Sequence, residues 1–175
     1  TVFAGMTAAE SFNNGFFFVL SGRCTGFTTI TPINISVSTL YIMMILMFVG
    51  GSPGSTSSGL KTTTLAVHFL ISRALLRNRR DVEIIQRRLP DECISRAVAI
   101  TLMMLTSLFI GAALLFHTEQ GIQTTHAGGT FLAILFESVS AIGNIGYTLG
   151  ITPDLSEWGK AIITAMMFIG RIGPL

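Results

Sequence analysis

Apolar runs and polar breaks alternate along this chain in a unit that occurs twice. A short apolar stretch at 7–20 closes on Phe16-Phe17-Phe18-Val19-Leu20. About 20 apolar residues are needed to cross a bilayer, so the pattern predicts a helix that enters without spanning. A polar loop follows at 21–31, Ser21-Gly22-Arg23-Cys24-Thr25-Gly26-Phe27-Thr28 and onward. The apolar run 35–49 predicts a helix of about 22 Å at about 1.5 Å per residue, short of a full crossing. It breaks at Gly50-Gly51-Ser52-Pro53-Gly54-Ser55-Thr56-Ser57-Ser58-Gly59, where four glycines and a proline exclude a stable helix. Apolar sequence resumes at 65–71.

The second unit has the same order. Residues 97–116 carry no charge and predict a full span. A loop at 117–128 leads to a second short helix over 129–142, which contains Glu137, and to a polar loop over 143–153. A last helix over 158–170 meets Arg171. Gly50 and Gly170 follow Gly26 and Gly146 at one and the same interval. Repetition of short helix, glycine loop and longer helix at a constant offset is a mark of internal structural repeats. Backbone leaves helical form at membrane depth only where it is buried in protein or lines water. Ion conduction is therefore the leading reading.

Composition agrees with a membrane setting. Half of the 175 residues are hydrophobic and 11% are charged, against about 25% in soluble domains. Mean hydropathy is +0.66. Seven of the eleven basic residues are Arg73, Arg77, Arg79, Arg80, Arg87, Arg88 and Arg96, whereas the loops 28–36 and 117–130 hold none. By the positive-inside bias, 77–96 is cytoplasmic and the two loops face out. A nucleic-acid patch is the rival reading of the arginines. Their interleaving with Asp81, Glu83, Asp91 and Glu92 suits a helical loop better, and no nucleic-acid partner is expected. Cys24 and Cys93 fall on opposite sides, so no disulfide is expected. The chain begins without Met and ends at Gly173-Pro174-Leu175, and it reads as a piece of a longer multi-pass protein.

The glycine loops suggest the chemistry. A cation leaving water can exchange its hydration shell for backbone carbonyls. Glycine lets the chain turn carbonyls inward at positive φ, and a preceding helix aims its negative end at the site. Thr25-Gly26-Phe27 and Asn144-Ile145-Gly146-Tyr147 have this form, and neither loop offers an acidic ring.

Three segments carry a family resemblance. Gly50-Gly51-Ser52-Pro53-Gly54-Ser55-Thr56 with Gly59-Leu60-Lys61-Thr62-Thr63-Thr64 resembles the intramembrane loop of Ktr-type potassium-transporter membrane subunits, of the Trk/Ktr/HKT superfamily. Phe168-Ile169-Gly170-Arg171-Ile172-Gly173-Pro174-Leu175 resembles the ending of their fourth repeat, and Arg87-Arg88-Leu89-Pro90-Asp91-Glu92 their cytoplasmic linker. The resemblance covers essentially the whole chain. It implies an all-α polytopic membrane protein built of repeated helix–pore helix–filter loop–helix units, as in potassium channels. Residues 1–77 would be repeat three, 78–96 the cytoplasmic linker and 97–175 repeat four.

The resemblance also implies roles. The ion filter would comprise Thr25, Gly26, Phe27, Asn144, Ile145, Gly146 and Tyr147, with potassium at Gly26 and Gly146. The gate would be 50–64, in particular Gly50, Gly51, Ser52, Pro53, Gly54, Ser55, Thr56, Ser57, Ser58, Gly59 and Lys61, with Arg171 close to it. A Ser at a filter Gly marks sodium permeation in the family. Both positions here are Gly, which favours potassium, with sodium-selective or mixed transport as the alternative. The family implies sodium dependence, a plasma-membrane location, a homodimer, an N-terminal half of the same subunit and a cytoplasmic nucleotide-binding regulatory ring. No resident cofactor is expected. Ser58 stands where Gly is common, and Cys24-Thr25 replaces a more usual Thr-Ala.

Other residues take more ordinary readings. Arg23 is expected to anchor the filter from behind, on Glu10 or Glu137, and Glu137 to sit in a structural salt bridge. Met43, Met44 and Met47 read as helix packing. His68, His117 and His126 lack metal-ligand spacing. An intramembrane hydrolase would need a Ser of 52–58 within reach of a His, and the topology separates two of the three histidines from that loop. A non-conducting scaffold would not need two filter glycines.

Overall fold

The computed structural model describes residues 5–23, 25–55, 58–77, 83–84, 87–121 and 128–173; of Asn34, Glu83, Ile84 and Arg87 only the backbone is described. The described chain is organised around one buried short helix, Gly129–Gly143. From Leu132 to Gly143 every residue except Leu135 is buried. The apolar run predicted at 129–142 therefore forms a helix that is enclosed from Leu132 onward, with only its first turn exposed.

In chain order the helices are α1 Ala8–Ser21, α2 Val37–Phe48, α3 Thr62–Leu76, α4 Asp91–Thr118, α5 Gly129–Gly143 and α6 Glu157–Ile172. α5 packs against α2, α4 and α6, and α4 packs also against α3 and α6. Local signals set the starts. Thr7 and Glu10 close a reciprocal capping box at α1. Ser36 and Ser156 cap α2 and α6 with their hydroxyls. Leu40, Met43, Met44 and Met47 form the buried stripe of α2, so the methionine run is packing.

α4 starts at Asp91, earlier than the apolar run from 97 indicates. Pro90 supplies an N-terminal boundary, and Asp91 and Glu92 suit the positive end of the helix. Its 28 residues reach about 42 Å, and it is long and apolar enough to cross a membrane. Only 28% of its most apolar window is buried, and Leu102, Phe109 and Ile110 are exposed. A soluble core helix of this hydropathy would be covered. α2, α3 and α5 are apolar but shorter.

The linker corrects one expectation. Glu83–Ile84 (β1) pairs antiparallel with Arg87–Arg88 (β2), Glu83 opposite Arg88 and Ile84 opposite Arg87. Of the described Arg-rich segment, 83–84 and 87–88 thus pair as short strands rather than forming a helical loop, while 91–96 begin α4; apart from this pair and one isolated bridge between Val49 and Leu60, the described residues fold as helices and loops. Arg79, Arg80, Asp81, Cys24, Thr56, Ser57, His126, Pro174 and Leu175 lie outside the described residues.

Glu119, just past α4, fixes the start of α6. It is buried and accepts hydrogen bonds from the Ser156 backbone N–H and hydroxyl. A carboxylate at a helix N-terminus is favoured by the exposed N–H groups and the dipole. Removing it should cost about 1.5–3 kcal/mol. Glu119→Ala is expected to lower the thermal midpoint of the detergent-solubilised protein, and an unchanged midpoint would remove this assignment.

Candidate filter and gate

α1 ends inside the first polar loop, and its last residue organises that loop. Ser21 is buried, and its hydroxyl donates to Phe27 O at 2.6 Å. With its proton spent there, Ser21 Oγ accepts from Thr25 Oγ1 at 2.9 Å. The Thr25 and Gly26 N–H groups both reach back to Ser21 O, at 3.1 and 3.2 Å. The loop is therefore a tight cap on the helix's carbonyl end.

α5 closes differently. Asn144 adopts φ 51, ψ 41. Its N–H donates to Ala141 O and that of Ile145 to Ser140 O, both at 3.1 Å. This pair of bonds is a Schellman closure with Asn in the left-handed position, where Asn is tolerated.

The two loops meet. Tyr147 is buried, stacks on Phe18 with ring centroids 5.1 Å apart, and aims its hydroxyl at Phe18 O (3.0 Å) and Phe27 O (3.3 Å). One side chain of the second loop thus braces both the end of α1 and the first loop. Gly26 and Gly146 both have positive φ, +66° and +94°. Their surroundings differ. A Cβ on Gly26 would lie inside the van der Waals shell of the Ile145 carbonyl oxygen, whereas one on Gly146 would meet nothing within 4 Å. Ile145 is buried, while Thr25, Phe27 and Gly146 are exposed. All seven residues expected at the filter therefore fall in these two adjoining loops.

Between α2 and α3, the described part of 50–61 is tied end to end by backbone bonds. Gly50 N–H donates to Leu60 O (2.9 Å), Leu60 N–H to Phe48 O (3.1 Å) and Thr62 N–H to Gly51 O (3.2 Å). Its tip, Ser52 to Ser55, is exposed and turned by Ser55 N–H and Oγ donating to Ser52 O. Lys61 Nζ donates to Ser55 O at 3.2 Å. Ser58, Gly59 and Leu60 are buried. Arg171 is exposed in the last turn of α6.

Two polar groups behave otherwise than expected. Glu137, buried on α5, accepts from the Thr152 hydroxyl, and among the described residues its Oε2 has no hydrogen-bond partner. Its described partner is a hydroxyl of the second loop, not the cation of a salt bridge. Glu10 is occupied by Thr7. Sequence reasoning missed Ser21, the bracing by Tyr147 and the Glu137–Thr152 contact. Ser21 carried a signal, being a Ser at a helix end beside a glycine loop; the other two depend on contacts between distant segments.

Comparison with known proteins gives this arrangement its family. The TrkH family, described as cation transport protein, matches residues 1–175, and the chain belongs to that family. It is 37% identical over 91% of its length to the Ktr system potassium uptake protein B of Bacillus subtilis (strain 168), covering 34% of that protein. It is 34% identical over 95% of its length to the potassium/sodium uptake protein NtpJ of Enterococcus hirae, covering 36%. A further relative is the Ktr system potassium uptake protein B of Vibrio alginolyticus, 32% identical over 97% of this chain and 36% of that protein. The chain thus spans about a third of the length of these curated relatives. The Ktr-type resemblance drawn from residues 50–64, 87–92 and 168–175 is borne out.

Proposed function

We propose that the chain is the repeat-three and repeat-four half of a potassium-uptake subunit in the plasma membrane. α1 and α5 are its pore helices and the loops after them two quarters of a carbonyl filter. The observation that carries this reading is the face-to-face placement of two positive-φ glycine loops, Gly26 against the Ile145 carbonyl, at the ends of two short helices. Such loops can present carbonyls to a dehydrated cation, and nothing acidic competes in them. Potassium is the cargo, bound at Gly26 and Gly146 with support from Thr25, Phe27, Asn144, Ile145 and Tyr147. Residues 50–64 form the gate beneath them, with Lys61 holding the loop tip and Arg171 at the inner end of α6. Residues 1–77 make repeat three, 78–96 the cytoplasmic linker and 97–175 repeat four. The arginines of 73–96 put the linker on the cytoplasmic side.

The remaining parts follow from the family. The N-terminal half of the subunit completes the ring, the subunit works as a homodimer, and a cytoplasmic nucleotide-binding ring regulates it. Transport depends on sodium. Mixed potassium/sodium transport is the second reading, favoured by the name of the Enterococcus relative, a potassium/sodium uptake protein.

The test is potassium uptake by the full-length parent in cells lacking their own uptake systems. Restored growth at low potassium is expected; a parent that moves no potassium even with its regulatory partner overturns the reading. Within the same assay, Tyr147→Phe removes the hydroxyl that reaches Phe18 O and Phe27 O. The stacked ring remains, so the expected cost is about 1 kcal/mol, read as a lowered melting midpoint and a reduced preference for potassium over sodium. Unchanged preference would limit Tyr147 to packing.

A further inference from the structure

Asn144 joins three parts that the sequence keeps far apart. Its Nδ2 donates to Ser58 Oγ at 3.1 Å and to the backbone carbonyl of Met167 at 2.8 Å. A backbone carbonyl only accepts, so the amide nitrogen must face α6. Both Nδ2 hydrogens are then used, one on α6 and one on the 50–61 loop. The same Asn144 is the left-handed residue that ends α5 and starts the second glycine loop.

The seat is closely fitted. A Cβ on Gly170 would overlap the Ile142 carbonyl oxygen, and one on Gly143 would press on Met47 O at 3.1 Å. Ser58 is buried beside it, 3% exposed, while the loop tip at 52–55 is exposed. The inner end of the gate loop is thus held by its own ladder and by a side chain from the filter loop. A Gly at 58 could not accept this bond, because it has no hydroxyl. The Ser58 departure noted in the sequence therefore has a physical use.

Resting on the filter-and-gate reading, we propose that Asn144 and Ser58 form a latch: a positioning pair that holds the 50–61 loop in its closed seat and ties that seat to the filter loop. Opening the gate breaks the Asn144–Ser58 bond, while the Asn144–Met167 bond keeps the filter loop in register with α6. The latch sets how often the pore opens, not how tightly it binds potassium.

The experiment measures potassium uptake by the full-length parent, without stimulation by its regulatory partner, in cells or in vesicles. Ser58→Ala removes the acceptor. Asn144→Gly removes the amide yet keeps a left-handed backbone at little cost. Ser58→Ala should raise maximal unstimulated uptake about fivefold, the equivalent of about 1 kcal/mol for one hydrogen bond, with KM for potassium within about twofold of the parent's on the same reasoning; Asn144→Gly, which also gives up the Met167 bond, should raise it at least as much. The double variant should rise no further than Asn144→Gly alone, as expected of two residues acting through one contact. Ser58→Thr keeps the hydroxyl and should return uptake to the parent's level. A merely structural role would lower the amount of folded protein and would not raise flux. Additive effects, a shifted KM at unchanged maximal uptake, or Ser58→Ala uptake equal to the parent's would each overturn the latch while leaving the transport reading in place. A parent that carries no potassium overturns both.

Discussion

Gly26→Ser is expected to abolish potassium uptake by the full-length parent, whereas Gly146→Ser is expected to preserve uptake and weaken its preference for potassium over sodium. The two glycines occupy corresponding places in the repeat, yet their surroundings are unequal. At Gly26 two penalties coincide. A side chain in the left-handed region costs about 1–2 kcal/mol, and its Cβ would collide with the Ile145 carbonyl of the neighbouring loop. Neither side can retreat, because Ile145 is buried and its N–H is bonded to Ser140 O. The Ile145 carbonyl is a candidate ion ligand, so the collision displaces the chemistry itself. At Gly146 the backbone penalty remains, of order 1–3 kcal/mol at φ +94°, but the space beside it is open. A hydroxyl there joins the site rather than destroying it. Uptake of potassium and of sodium, each normalised to folded protein in the membrane, checks the pair. Equal effects of the two substitutions would show that the collision at Gly26 does not govern the filter.

This inequality also marks the limit of what the sequence reveals. That Gly26 and Gly146 lie in equivalent breaks is legible, because apolar runs and glycine positions are local and repeat at one interval. So are the short helices, since the runs 7–20 and 129–142 are too short to span, and α1 and α5 match them to within a residue or so. Which of the two glycines is sterically committed depends on where the Ile145 carbonyl lands, and that is a contact between segments far apart in the chain. The bracing by Tyr147 is hidden for the same reason, as Phe27 in the corresponding position is exposed. Asn144 falls within the expected filter, but its role as a left-handed cap and its reach to Ser58 and Met167 need the fold. Boundaries fail where a charged turn extends an apolar helix, as Asp91–Arg96 does for α4. The strand pair 83–84 and 87–88 fails the pattern because each strand is two residues long, too short to show alternation. A general rule for buried carboxylates assigns Glu137 a cation. The structure instead supplies the Thr152 hydroxyl, from a loop that folds back over α5.

Excising Pro53–Ser55 is expected to leave a pore that leaks. The excision spares the three backbone bonds that pin the loop's ends and spares Ser58, so the remaining chain can still close between α2 and α3. What it removes is the exposed turn and the Ser55 carbonyl that Lys61 holds. On the proposed gate reading, a shortened, still pinned loop no longer covers the path below the filter, and the closed state loses the contact with Lys61. An increase of roughly tenfold in unstimulated potassium flux corresponds to about 1.4 kcal/mol taken from the closed state, which one charged hydrogen bond and an ordered turn can supply. Ion preference should be unchanged, because Gly26, Ile145 and Gly146 are not touched. Lys61→Met, which keeps the chain and removes the charge, should leak to a lesser degree. If the excised protein is folded in the membrane and its flux equals the parent's, the loop tip is not the barrier. The closure would then lie with the buried inner half of the loop, at Ser58 to Leu60, where Asn144 holds it against α6.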